Sequence, residues 1–168
     1  MSHVPESEIF SATSLLMATM RAQDVEEVVS IENQAYPFPW TRGNFLDSLN
    51  SRYDAWIVRE SEGQIAGYFL AMPVVDEMHL LNITVRPTRQ GKKLGRCLLD
   101  KIIALTRAVN MQSILLEVRP SNPHALAFYQ HVGFEQIGIR KNYYPSHGAS
   151  REDAIVMRLM LTDHSHES

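Results

Sequence analysis

Apolar positions recur along this chain with two periods, and the switch between them outlines the fold. Leu94, Leu98, Ile102, Leu105 and Val109 are spaced by four, four, three and four residues, which places them on one buried helix face. Short apolar runs bounded by turn residues predict strands instead. They cover Leu15 to Met20, Ala55 to Arg59, Gln64 to Pro73, His79 to Val85, Ile114 to Glu117, Gln136 to Tyr143 and Ala154 to Met160. Ser61-Glu62-Gly63 supplies a hairpin turn between the second and third strands. Asp24 begins a helix, and Glu27 three residues later resembles a capping box. Val25, Val28, Val29 and Glu32 give that helix an apolar and a polar side. Tyr36-Pro37-Phe38-Pro39-Trp40 is a loop, because two prolines within three residues forbid a helix. Thr41 opens a second short helix that runs to Leu49. Asn122 as N-cap and Pro123 at the first helical position start a helix to His131, and Gly133 closes it.

The resulting order is β-α-α-β-β-β-α-β-α-β-β. An antiparallel meander combined with a βαβ unit predicts an α+β fold, an α/β sandwich of helices flanking a mixed, mostly antiparallel sheet. No repeat, low-complexity segment or second-domain boundary interrupts it. The expectation is one domain over residues 14–161, a flexible extension at 1–13 and a flexible tail at 162–168.

Composition narrows the function classes. A chain of 168 residues can bury a full core, and 45% hydrophobic with 21% charged residues is ordinary for a globular protein. A net charge of −3 argues against a general nucleic-acid binder. No uncharged apolar stretch approaches the roughly 18–20 residues that cross a bilayer. The N-terminus shows no basic region followed by a long apolar core, so no secretory signal is expected. The lone Cys97 forms no internal disulfide, fits a cytoplasmic location, and reads as a small core residue on its helix. The seven histidines are too sparsely placed for a metal site, and no metal is expected.

Two segments carry candidate chemistry. Glu117 closes a strand and Tyr129 sits on the next helix, so a potential proton acceptor and donor flank one short turn. Acyl transfer to an amine needs such a pair, one group to take the amine proton and one to protonate the leaving group. Glu117 pairing with Arg119, and Tyr129 packing in the core beside Leu126 and Val132, are the structural alternatives. Upstream, Arg89-Gln90-Gly91-Lys92-Lys93-Leu94-Gly95-Arg96 leads from a strand into a helix. Free backbone amides at a helix start attract anions. Lys92, Lys93 and Arg96 lie where the helix dipole disfavours cations, a conflict that a bound polyphosphate removes.

These residues resemble the GCN-five-related N-acetyltransferase family. Its signature, Arg/Gln-x-x-Gly-x-Gly/Ala, is matched by Gln90-Gly91-Lys92-Lys93-Leu94-Gly95, with Lys93 where the first glycine belongs and Gly91 two places early. Within the family the chain is similar to the bacterial ribosomal-protein-alanine acetyltransferases of the RimI type. That likeness rests on Pro37-Phe38-Pro39-Trp40, Asn82-Ile83-Thr84-Val85, Leu116-Glu117-Val118-Arg119, Asn142-Tyr143-Tyr144-Pro145 and Arg151-Glu152-Asp153-Ala154-Ile155, and it runs from about Leu15 to Leu161.

The resemblance implies acetyl-CoA as cosubstrate, with backbone contacts to the thioester from Ile83, Thr84 and Val85. It implies a pyrophosphate loop of Gly91, Lys92, Lys93, Leu94, Gly95 and Arg96, and a further cofactor contact from Asn122. It assigns Glu117 as proton acceptor and Tyr129 as proton donor. It also implies an N-terminal alanine, that of small-subunit ribosomal protein eighteen, as acceptor. Direct nucleic-acid or membrane binding is not expected, and a monomer is the simplest state. Phe38, Trp40, Tyr143 and Tyr144, grouped on two loops, are candidate walls of a peptide groove. Two alternatives stay open: a small amine or lysine side chain as acceptor, and a non-catalytic CoA-binding sensor.

Overall fold

The structure is a computed structural model that describes residues 15–91, 93–148 and 150–161. The expected terminal extension and tail lie outside the described residues. The elements are β1 (Leu15–Thr19), α1 (Val25–Ala35), α2 (Arg42–Asn50), β2 (Asp54–Glu60), β3 (Ile65–Val74), β4 (Glu77–Val85), α3 (Leu94–Ala108), β5 (Ser113–Val118), α4 (Pro123–His131), β6 (Glu135–Pro145) and β7 (Arg151–Met160). That is the order the apolar pattern predicts, with two added 3₁₀ turns at Ala22–Asp24 and Pro87–Arg89. The strands are ordered β1-β2-β3-β4-β5-β7-β6. The sheet is mixed: β4 and β5 are parallel, whereas β1–β2, β5–β7 and β6–β7 are antiparallel. The parallel pair requires a crossover, and α3 provides it.

The chain divides into two compact units. Of the described residues, one holds those up to Leu70 and those of Asn82–Leu99; the other holds Ala71–Leu81 and those from Asp100 on. In the first unit α1 buries Val25, Val28 and Ile31 completely or nearly so. Each such side chain contributes about 1.5–3 kcal/mol. The polar member of the predicted pattern, Glu32, is buried with them at 1% exposure. The expected capping box at Asp24 and Glu27 does not form. Asp24 instead accepts from the Arg21 amide three residues before it and pairs with Arg59. Glu27 accepts from the Ile65 amide and from Arg86. Thr41 does cap α2, in a reciprocal box with Asn44. Ile65 through Ala71 of β3 are all buried, as expected of a strand inside a sheet.

In the second unit Ile102, Ile114, Leu116, Phe134 and Met157 form the core. Val109, assigned by its spacing to the buried face of α3, is 53% exposed. The helix ends at Ala108 and Asn110 turns the chain with φ +61°, so Val109 leaves the stripe. Helix α4 ends as a Schellman motif. Gly133 takes φ +110°, its amide bonds to Gln130 O, and the Phe134 amide bonds to Tyr129 O. The apolar contact that completes such a cap is the edge-on pair of Phe134 and Tyr129, 5.4 Å between centroids.

Candidate active site

The first unit carries the predicted phosphate loop. Strand β4 ends at Val85 and α3 starts at Leu94, as the sequence pattern requires. The Cys97 amide bonds to Lys93 O as α3 begins, and the amides at such a helix start are the natural place for an anion. Gly91 takes φ +82° and is exposed. Lys93 is exposed and takes φ +62°, a left-handed conformation that is costly for any residue with a Cβ. The signature glycine therefore has a conformational reason, and this chain fills the same backbone geometry with a lysine. Lys92 lies outside the described residues. Leu94 is buried, Gly95 half-buried and Arg96 exposed. Arg89, the first cation of the basic segment, is engaged by the carboxylate of Glu60 through both its Nε and Nη2 atoms. The loop backbone and the cations that follow it fit an anionic pyrophosphate.

The predicted thioester contacts lie on β4 of the same unit. Thr84 is buried, while Ile83 and Val85 are half-buried. The Tyr36 hydroxyl lies 3.1 Å from Ile83 O and 2.8 Å from Thr84 Oγ1. Thr84 Oγ1 donates to Asn82 Oδ1 at 2.7 Å, and Asn82 Nδ2 donates to Glu32 Oε1 at 3.1 Å. Glu32 also accepts from the Tyr68 hydroxyl at 2.7 Å and from the Trp40 amide at 2.9 Å. A buried carboxylate thus ties the Tyr36–Trp40 loop to the strand segment at Asn82–Thr84. Burial, with Thr84 opposing and Glu32 reinforcing, pushes the Tyr36 phenol up to about 12. A cavity of about 290 Å³ lined by Met20, Leu46, Leu49, Tyr53, Asp54 and Trp56 contains none of the predicted site residues.

The second unit carries the proposed acid–base pair. Glu117 on β5 has only 7% of its side chain exposed. It does not pair with Arg119, which binds Glu152 and the Pro145 carbonyl and stacks over Tyr144. The partners of Glu117 come from further away. His79 Nε2 on β4 lies 3.2 Å from Oε1, and Arg140 Nη1 on β6 lies 3.2 Å from both oxygens. The Tyr143 phenol on β6 also interacts with the carboxylate. The His79 contact, helped by Tyr143 and Arg140 and opposed by burial, holds the Glu117 carboxyl below the usual carboxylate range. Burial and the neighbouring Glu117 push the Tyr143 phenol up.

Two features of the sheet create this cluster. His79 is level with Leu115 on the parallel neighbour β5, so by strand alternation it shares a face with Glu117. Strand β6 advances from Arg140 to Tyr144 while β7 advances only from Ala154 to Glu152. This bulge centres on Asn142, at φ +51° with its amide on Asp153 Oδ1. The strand predicted to end at Tyr143 runs on to Pro145, so Tyr143 and Tyr144 both lie inside it and not on a loop. Arg140 stacks over the Tyr143 ring at 4.2 Å.

Tyr129 is 8% exposed, with its ring edge-on to Phe128 and Phe134, so it packs in the core. Asn122 caps α4 through Oδ1, which accepts from the Ala125 amide. The cap leaves its Nδ2 donor for another partner. Cys97 is half-buried, not fully within the core. Of the neighbours of Glu117, the sequence reading missed His79 and Arg140. The only sequence signal of His79 is a titratable side chain inside an apolar strand.

Three comparisons bear on this arrangement. The profile of the Acetyltransferase (GNAT) family matches residues 25–134. The chain is 38% identical to the [ribosomal protein bS18]-alanine N-acetyltransferase of Haemophilus influenzae, over 87% of this chain and 99% of that protein. It is 33% identical to a putative enzyme of the same name from Bacillus subtilis, over 90% and 99% of the two chains. The crystal structure of the ribosomal-protein-S18-alanine N-acetyltransferase from Escherichia coli superposes with a TM-score of 0.79 at 34% identity, covering 89% of this chain and 95% of that one. A profile match across most of the chain and near-complete coverage of such relatives establish that the chain belongs to the GNAT acetyltransferase family.

Proposed function

We propose that the protein transfers the acetyl group of acetyl-CoA to the N-terminal alanine amine of a protein, the small-subunit ribosomal protein bS18. The observation that carries this reading is end-to-end similarity, at 38% identity, to a relative named for that reaction. Such a substrate would place the reaction in the cytoplasm.

The chemistry of the residues agrees. Acetyl-CoA brings an activated acyl group on a good leaving group. The amides at the start of α3, with Lys93 and Arg96, would hold its pyrophosphate. Main-chain amides near Val85 would polarise the thioester carbonyl as an oxyanion hole does. An α-amine has pKa about 8 and lysine about 10.4, so deprotonating lysine costs about 3 kcal/mol more. A carboxylate at Glu117 would set up removal of the proton from that easier amine. Tyr129 would donate to the departing thiolate, whose pKa of about 8.5 lies below the ordinary tyrosine value near 10. Tyr143 and Tyr144 on β6, beside Glu117 in the second unit, would contact the acceptor peptide.

The test is thiol release from acetyl-CoA with peptides that differ only in their first residue. Peptides beginning with alanine should be turned over well above matched peptides with a blocked N-terminus. Equal turnover of blocked, lysine-containing peptides or of polyamines would overturn the assignment of the acceptor.

A further inference from the structure

Glu117 is already engaged on both oxygens, by His79, Arg140 and Tyr143. A carboxylate so surrounded is a well-placed charge but has little affinity left for a proton. His79 is the one neighbour that can accept one. Its Nε2 faces Glu117 Oε1 at 3.2 Å, and about a fifth of its side chain is open to solvent. Arg140 is always charged, and the Tyr143 phenol is already protonated at neutral pH.

We propose that His79 and Glu117 act as one acid–base unit, in which His79 takes the proton of the incoming amine and Glu117 orients its imidazole. This deepens the acetyl-transfer reading and rests on it. In the tautomer protonated at Nε2, the nitrogen 3.2 Å from Glu117 Oε1, the imidazole keeps the Nδ1 lone pair for the substrate. The same division of labour operates where a carboxylate fixes the tautomer of a catalytic histidine and stabilises the imidazolium.

The step balances. An α-ammonium gives one proton to Nδ1, directly or across one water, and the free amine forms a C–N bond to the acetyl carbon. The C–S bond breaks, its electron pair leaves with sulfur, and the thiolate takes a proton from Tyr129. The second proton of the attacking nitrogen, lost as the amide forms, passes through solvent to restore the Tyr129 hydroxyl. The proton on His79 is then released to solvent. An imidazole is a stronger base than a carboxylate, and proton transfer is most effective when donor and acceptor are matched.

The charged surroundings of His79 are consistent with this role. Glu117 faces it from β5, with Arg140 and Tyr143 of β6 behind that carboxylate. Glu77, two residues earlier on β4, is bound by Arg158 of β7 and by Ser113. Ala71–Val74, the part of β3 in this unit, brings no titratable group.

The experiment compares wild type, His79→Gln and His79→Ala on an alanine-initiated peptide, with acetyl-CoA affinity measured by calorimetry. Both variants should bind acetyl-CoA normally and turn over about 100-fold more slowly or worse. Added imidazole should restore His79→Ala by about tenfold or more, and the gain should track the basicity of the imidazole used. Combining Glu117→Gln with His79→Gln should slow the reaction little beyond the slower single variant, because the two residues act as one unit. Turnover of His79→Gln within about threefold of wild type would overturn the proposal. A slow His79→Ala that no imidazole rescues would also overturn it, showing His79 to be structural. Wild type that binds acetyl-CoA yet acetylates no free N-terminus would defeat the acetyl-transfer reading itself, and this inference with it.

Discussion

Arg140 Nη1 stands 3.2 Å from both carboxylate oxygens of Glu117, although the two residues lie on strands separated by β7. The guanidinium rests on the Tyr143 ring and the carboxylate is almost fully enclosed, so Glu117 has one position and one charge state at neutral pH. Glu117→Gln removes that charge and keeps the shape. Acetylation should fall by about 10²–10⁴-fold, the usual worth of a positioned acid or base. Acetyl-CoA affinity should stay the same, and raising the pH should recover part of the rate by deprotonating the amine in solution. Near-normal turnover at pH 7 would show that Glu117 is only structural.

Tyr129→Phe deletes a hydroxyl and leaves intact the ring contacts with Phe128 and Phe134. Turnover should drop while acetyl-CoA affinity changes little, because the hydroxyl acts on the departing thiolate. A variant that loses affinity while keeping turnover at saturation would reassign Tyr129 to cofactor positioning.

Lys93 combines a positive charge with a left-handed backbone, at φ +62°. Two substitutions separate these properties. Lys93→Gly relieves the backbone and should raise stability by about 1 kcal/mol, read by urea unfolding without ligand. Lys93→Ala keeps the strain and removes the ammonium. It should weaken acetyl-CoA binding, with a difference that shrinks at high salt as screening removes the phosphate attraction. Unchanged affinity in both variants at both salt concentrations would leave the pyrophosphate to the backbone amides alone.

Glu32 should be among the most sensitive positions for stability. Glu32→Leu strands three donors, the Trp40 amide, the Tyr68 hydroxyl and Asn82 Nδ2. Each unpaired buried donor costs about 1–3 kcal/mol, so a total of about 3 kcal/mol or more is expected. Glu32→Gln keeps one acceptor oxygen and should cost less. Urea unfolding at pH 7 measures both, and a neutral Glu32→Leu would mean that the network relaxes onto water.

Stability should fall in acid. Glu60, Glu77, Glu117 and Glu152 all have carboxyls held below their ordinary range. Arg89 is the main cause for Glu60, Arg158 for Glu77 and His79 for Glu117; for Glu152, contacts from Ser121 and Arg119 outweigh burial. A depressed folded-state value stabilises the protein above the unfolded value, near 4.3, and that contribution is lost as the pH falls through the folded one. The urea midpoint should therefore hold from pH 7 to about 5 and decline below that. Glu77→Gln should make the decline shallower, and an unchanged slope would assign the effect to other groups.

Most of the fold was legible because local signals agreed. Asn122, Pro123 and Gly133 bracket α4, and the spacing from Leu94 to Ile102 marks the buried side of α3. Misreadings arose where one residue type serves two geometries. A carboxylate that caps a helix and one that closes the preceding turn look alike, so Asp24 was misplaced. Val109 continued the apolar spacing past a helix that Asn110 had ended. The candidate site was legible in Glu117, Tyr129 and the loop into α3, because each sits next to its own turn. The partners of Glu117 were not. His79 arrives through parallel register, and Arg140 and Tyr143 arrive through a bulge that no spacing rule announces.

The most direct test of acetyl transfer to a protein N-terminus is to locate the transferred group. The protein is incubated with acetyl-CoA and ribosomal protein bS18 bearing a free N-terminal alanine, and the product is fragmented by tandem mass spectrometry. A single acetyl group is expected on the α-nitrogen of the first residue and none on any lysine. Acetyl groups on lysine side chains, or an unmodified N-terminus after acetyl-CoA has been consumed, would contradict it.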